Sequence, residues 1–524
     1  MREARQHPPS SIILSRSLLA LAGAVLLVAT AACQSTGPAE PTPRATPTAS
    51  APMPIPSAPP PVQGEDQAAA LLPSFQGDLD LLGQATRYAI TATLVEDERV
   101  ILGQASIWYT NTESVPLDML VLRLYPNLMG PGAGLHLASV EVDGHAVQPE
   151  LRQEGSVARL PLPSPLSPGQ GLALTFSFRT EVSSEPSRGY GAFGVHQGTW
   201  TLAGFYPLVA VYDETGWNEE IPPEHGDMVY SDMAFYRVVW EAPEGYILAS
   251  TGSVVDEAGR EGRHVWTLVS GPAREFNLAL SRDYQIVTED DPSGTRLRSF
   301  YFPGHAAMGQ AVLDYARQAF RLYGDLFGPY PYRELDLAEA EIGAAGIEYP
   351  GLILAAEALY AREDPFTEFV VAHEMAHQWW YNLVGNDQVD EPWLDEALAN
   401  YSTVLYYEHV HGPEEAKGIL EAFRQRYENL VREGRDAAVA QPSGAFPRAD
   451  YGVIVYQKGA LFLDALRTAV GDEAFLAVLR HYAAQYRYRI ARGQDFLRVA
   501  EGLAGRDLAP LYHEWLYGVR RAGE

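Results

Sequence analysis

The 524-residue chain is poor in three things. It has one cysteine, Cys33, so no intramolecular disulfide can form, and a multi-cysteine metal site is excluded. Lys417 and Lys458 are the only lysines among 38 basic residues, set against 67 acidic ones. The formal net charge of −29 argues against nucleic acid or an anionic membrane surface as the main partner. No apolar run reaches the ~20 residues that a membrane-spanning helix requires. The longest candidate, Leu18 to Val28, is too short.

What that run does carry is its context. Arg2, Arg5 and Arg16 precede it, and "ATAAC" follows, so small residues lead directly into Cys33. This is the shape of a bacterial lipoprotein signal, with residues 1–32 removed and a lipid placed on Cys33. Ordinary signal cleavage near Ala32 and a retained membrane anchor are the alternatives. All three put the folded part outside the cytoplasm. Residues 33–75 are then expected to be a tether rich in proline, alanine and threonine. Its stretch 34–64 would span about 90 Å if extended at ~3.1 Å per residue.

Hydrophobic residues make up 47% and charged residues 20%, enough apolar content for large cores, and the length suggests two domains. Residues 76–284 read as strands. "RVILGQASIWYTN", "LALTFSFRTEV" and "FYRVVWEAP" are rich in β-branched and aromatic residues, with turn residues at short intervals. They predict an all-β domain of sandwich or saddle type. Residues 285–524 begin with strands and a helix at 306–326, and become almost wholly helical after Pro365. An α+β domain is expected there.

Within that second domain stands "VVAHEMAHQWW". Asp364 and Pro365 supply a helix start, and Gly385 is a plausible stop. His373 and His377, four apart, share one helix face, where both imidazoles can reach one zinc ion. Glu374 lies beside them, placed to hold and deprotonate a water. Such a string arises by chance in about one chain in a hundred of this length, so a third ligand decides its meaning. Glu396 fits. It lies in the first turns of a helix expected from Pro392 to Gly412, with eighteen residues between it and His377. Two histidines and one glutamate leave a fourth position open, as catalytic rather than structural zinc requires.

"HEMAHQWWYNLVG" followed by "WLDEALANY" resembles the aminopeptidase N family of zinc peptidases (gluzincins, peptidase family M1). His377, Gln378, Trp379, Asn382, Leu383 and Val384 fit the stretch after its zinc motif, and Trp393, Leu394 and Glu396 fit the third-ligand segment. Upstream, "AGIEYPGL" resembles the family's Gly-x-Met-Glu-Asn motif. Gly346 and Glu348 match, while Ile347 replaces Met and Tyr349 replaces Asn. The resemblance implies that Glu348 binds the free α-ammonium of a peptide. Downstream, "YGVIVYQKGALFL" is similar to the segment whose tyrosine stabilises an oxyanion, which puts Tyr456 in that role, with Tyr451 a weaker neighbour. Implied with it are a thermolysin-like fold for 285–524, one zinc per chain, and peptides with free N-termini as substrates. Longer members continue into a further helical domain. A short form without it is expected to have a more open cleft. An endopeptidase on the same scaffold and a non-catalytic peptide-binding lipoprotein are the competing readings. Three further histidine features look structural. His409 and His411 share no helix face, His225 shows no partner, and His513 lies near the C-terminus.

Overall fold

The computed structural model describes residues 64–185, 190 and 192–521. The expected signal segment 1–32 and Cys33 lie outside them. The expected tether boundary at residue 75 falls within packed chain. Gly64–Ala68 forms a short helix, and Leu71 is fully buried against the C-terminal half, beside Tyr332. Asp78 anchors the same segment by accepting from Tyr488 Oη at 3.0 Å. Three apolar residues, Ala70, Leu71 and Leu72, explain the difference: they follow the low-complexity run and have a core to enter.

Four long strands organise the N-terminal half: β1 (Thr86–Val95), β2 (Val100–Thr110), β3 (Gly171–Glu181) and β4 (Ala234–Pro243). They form the centre of an eight-stranded sheet in the order β4-β1-β2-β3, with β1 and β4 parallel and the other pairs antiparallel. Burial alternates along each, the signature of a sheet with one face on a core. Two four-stranded sheets lie in the same half. Tyr88 and Tyr236 stack at 4.7 Å in the core beneath.

From Gln285 a five-stranded sheet begins: β5 (Gln285–Asp290), β6 (Arg296–Tyr301), β7 (Glu334–Ala340), β8 (Gly346–Tyr349) and β9 (Leu352–Ala356). Its order is β5-β6-β7-β9-β8. Helix α1 (Ala306–Phe327) makes the crossover between the parallel strands β6 and β7. β8 pairs antiparallel with β9 and forms the sheet edge. Helices α2 (Pro365–Ala376) and α3 (Trp393–Val410) pack on this layer around Trp379, Trp380 and Trp393, all buried. Among the described residues no helix is long and apolar enough to cross a membrane.

Helix α2 starts as expected, with the Asp364 carboxylate accepting from Phe366 N–H at 3.0 Å. It ends at Ala376, well before Gly385. Gly385 serves a different purpose. A Cβ there would stand 2.0 Å from the Arg274 guanidinium carbon. Arg274, from the β half, passes through this gap and donates to the carbonyls of Tyr381 (2.5 Å), Ser231 (3.0 Å) and Arg489 (2.9 Å). Two of these bonds, to Tyr381 and Arg489, cross from the β half, so one buried guanidinium ties the two halves together.

Candidate active site

Helix geometry places His373 and His377 one turn apart, with their Nε2 atoms 3.2 Å from each other. Glu396, from the first turn of α3, brings Oε2 to 3.2 Å from His373 Nε2 and 3.4 Å from His377 Nε2. All three side chains are buried. His377 Nδ1 faces the Trp380 carbonyl at 2.9 Å and can only donate to it, which leaves Nε2 with its lone pair inward. Glu396 Oε2 has no hydrogen-bond partner.

These donors fit zinc. Two ligand atoms about 2.1 Å from a tetrahedral ion stand roughly 3.4 Å apart, close to the spacings found here. The charges agree as well. Burial would raise the Glu396 carboxyl, but the imidazoles of His373 and His377 facing it hold it down at about 2, and burial lowers His373. Glu396 is thus held anionic and His373 neutral, the forms that bind a metal, whereas the charges of Glu348 and Glu396 raise His377 against its burial, a proton that metal binding would displace.

Glu374 is on the same helix, buried, with its carboxylate against β8. Gly346 makes this approach possible, since a Cβ there would lie 2.5 Å from the Glu374 carboxylate. Burial, and then the charge of Glu348, raise the Glu374 carboxyl well above its ordinary range, suiting it to accept and hold a proton. Glu348 is in strand β8 and 6% exposed. Oxygens of Glu348 and Glu374 and a nitrogen of His377 come within 4.8 Å of one another.

Tyr456 lies in a π-helical segment, Gly452–Lys458, of the kind that often marks functional sites. Its hydroxyl donates to Glu396 Oε1, and its ring stacks on His373 at 5.8 Å. Asn400 Nδ2 fixes its backbone carbonyl at 2.9 Å. Burial and Glu396 raise the phenol, so it stays protonated and able to donate. Tyr451 is adjacent, 5.9 Å ring to ring, with a buried hydroxyl that has no partner.

The structure thus brings together all seven expected site residues, and adds some. Gln388, in the "GNDQVDE" loop that the sequence marks only as a connector, bridges Glu348 (3.1 Å) and Asp395 (2.8 Å). Gln378 braces β8 from the far side. Its Oε1 accepts from Gly351 N–H at 3.0 Å, and its Nε2 donates to Tyr349 O at 3.1 Å. The two tryptophans after it are anchors, with Trp379 donating to Gly328 O (2.8 Å) and Trp380 to Ser402 Oγ (2.9 Å). His225 corrects the expectation of no partner: its Nε2 lies 3.1 Å from Ser443 O and its ring meets Tyr451. His411 pairs with Glu368 at 2.8 Å, and His409 bonds Leu405 O within its own helix, both structural as expected.

The sequence model of the peptidase family M1 domain matches residues 311–515, the segment from α1 through the metal triad to the closing helices. The chain carries a peptidase family M1 domain. Relatives agree: aminopeptidase N of Lactococcus lactis subsp. lactis is 28% identical over 305 residues, 53% of this chain and 35% of that protein. Aminopeptidase N of Lactobacillus delbrueckii subsp. lactis is 31% identical over 223 residues, 39% of this chain and 26% of that protein. The chain thus spans about a third of the length of these relatives. In fold, it is similar to the M1 zinc metallopeptidase of Deinococcus radiodurans, with a TM-score of 0.59 and 22% identity over 83% of this chain and 95% of that one. A substituted form of that enzyme bound to a Tyr-Ser-Ala substrate has a TM-score of 0.61, at 22% identity over 83% of this chain and 94% of that one. The matched segment contains His373, His377 and Glu396, whose ligand atoms lie close enough together to hold one metal ion.

Proposed function

We propose that the protein is a zinc-dependent aminopeptidase, removing residues one at a time from the N-termini of peptides. The observation that carries this reading is the position of Glu348. It puts a buried carboxylate at the edge strand, next to Glu374 and His377, so that a charged α-ammonium bound there leaves the first peptide bond over the triad. The relatives' names and the tripeptide held by the Deinococcus enzyme support the same substrate class.

Zinc, when bound, supplies a Lewis acid that polarises the scissile carbonyl and acidifies a water. The chain does the rest. Glu374 takes the water proton and hands it to the leaving amine. The Tyr456 hydroxyl, held as a neutral donor, turns to the oxygen that gains negative charge. Gln388 keeps the Glu348 carboxylate directed at the cleft. Comparing a peptide with its N-acetylated form tests the reading. The free-amine peptide is expected to be cut far faster, and faster cutting of the acetylated form would make the protein an endopeptidase.

We also propose that lipid on Cys33 tethers the enzyme to a bacterial membrane on its extracytoplasmic side. The basic flank, apolar run and small residues before Cys33 support this. Mass spectrometry of the mature N-terminus checks it. An unmodified Cys33 in membrane-extracted protein would remove the lipid.

A further inference from the structure

Beside the triad the cleft widens into a pocket between the β half and β8, lined by Met228, Ile347, Tyr349 and Tyr206 among others. Three carboxylates also line it: Glu348, Asp227 and Glu275. None makes a salt bridge with a described residue, although the Arg274 charge lies near Glu275. Glu275, 2% exposed, accepts from the Tyr381 hydroxyl at 2.6 Å on both oxygens and from Ser231 Oγ at 3.3 Å. Its neighbour Arg274 gives its hydrogen bonds to main-chain carbonyls instead. Asp227, partly buried, makes no hydrogen bond or ion pair with any described residue. Tyr381 is held at φ 130°, outside the usual range for a non-glycine residue, so backbone strain is borne where Glu275 is fixed.

A second kind of group points into the same pocket. Asn277 is 1% exposed. Its Oδ1 accepts from Gly204 N–H at 3.0 Å, which fixes the orientation of the amide, and its Nδ2 has no partner. A buried donor left open is uncommon and marks a pocket built to receive a polar ligand with its water.

The charge does not balance with the α-ammonium alone. That group brings one positive charge to three acidic groups; burial pushes Asp227 well up and Glu275 up to about 7, so the empty pocket holds protons that a second cation would replace. The walls, by contrast, are mostly apolar and suit a hydrocarbon stem. A long side chain with an apolar stem and a cationic head satisfies both. We propose that this pocket selects peptides beginning with arginine or lysine, with the α-ammonium at Glu348 and the side-chain cation at Asp227 and Glu275. The inference rests on the aminopeptidase reading and adds to it the class of N-terminal residue.

The test uses zinc-loaded enzyme at pH 8 with arginyl, citrullyl and leucyl reporter amides. Citrulline has the shape of arginine without its charge. The expected kcat/KM is at least tenfold higher for arginyl than for citrullyl. Asp227→Asn and Glu275→Gln are each expected to lower that ratio about fivefold or more, chiefly through KM for the arginyl substrate. A wild-type ratio near one, or a ratio kept in both variants, overturns the proposal. If Glu275→Gln does not fold, the wild-type ratio and Asp227→Asn decide. Failure of the aminopeptidase reading looks different, because no reporter would be hydrolysed, leucyl included. Calorimetry then still separates the two. L-arginine binding at least tenfold tighter than L-citrulline supports the pocket assignment, and equal binding refutes it.

Discussion

The metal triad and the pocket beside it are built in different ways. The triad comes from two consecutive helices of one domain, α2 and α3, and its geometry is set by helical spacing over a short stretch of chain. The pocket is assembled from distant pieces: Asp227 and Glu275 from the β half, Glu348 from an edge strand, and Gln388 from the loop before α3. At the triad the ligand atoms converge on one point, whereas among the described residues the pocket leaves carboxylates without salt bridges and an amide without an acceptor. Chemistry here is local and recognition is long-range. Disturbing the first should abolish turnover, and disturbing the second should alter which substrates are turned over.

The largest expected effect is at the triad. Glu374→Gln should lower kcat/KM by about a thousandfold or more, within the range for loss of a general base, with zinc content unchanged by elemental analysis. Activity near wild type would remove Glu374 from the mechanism. Tyr456→Phe should cost about a hundredfold, mostly in kcat, as expected for one lost oxyanion donor. Its partner Glu396 retains both histidine contacts, so zinc should again be retained.

The boundary between the two regions is Gly346, and Gly346→Ala tests whether they are mechanically joined. The added methyl would meet the Glu374 carboxylate at 2.5 Å, so either β8 or Glu374 must shift. Overpacking of this kind typically costs about 1–3 kcal/mol. If the shift is taken by Glu374, kcat falls about tenfold or more. If β8 gives way, Glu348 moves and KM rises instead. Measuring the two constants separately shows which side is the stiffer.

This contrast also explains what could be seen in the sequence. His373, His377 and Glu396 are legible because a helix repeats its face every three or four residues, and the intervening loop is short. Glu348, Gly346 and Tyr456 are legible only through resemblance, since a glutamate near glycines or one of 29 tyrosines carries no spacing signal. Why Gly346 is a glycine needed the structure, where Glu374 fills the space of its missing side chain. The alternating strands announced the β half, but not that its loops reach the site. Arg274, Glu275 and Asp227 meet the catalytic half across large sequence separations, for which no local pattern exists. The stop assigned to Gly385 failed for a related reason: that glycine answers a guanidinium more than a hundred residues away, not the helix before it.

The smallest expected effect concerns stability and probes the pocket alone. Glu275 is buried, with the Tyr381 hydroxyl on its oxygens, the Arg274 charge nearby and Glu348 across the pocket. Burial outweighs the favourable contacts and pushes its carboxyl up from 4.5 to about 7. Between those values the folded protein keeps a proton that the unfolded chain has released. Stability therefore falls as pH rises through that window, then levels off above it. Glu275→Gln removes this one titration while keeping the shape of the side chain. The loss of stability between pH 5 and pH 8, measured by urea unfolding, should then be smaller in the variant by on the order of 2–3 kcal/mol. An unchanged pH dependence would mean that Arg274 and Tyr381 already hold Glu275 ionised at pH 5. The pocket would then carry its full negative charge even in acid, and the contrast with the charge-satisfied triad would be sharper still.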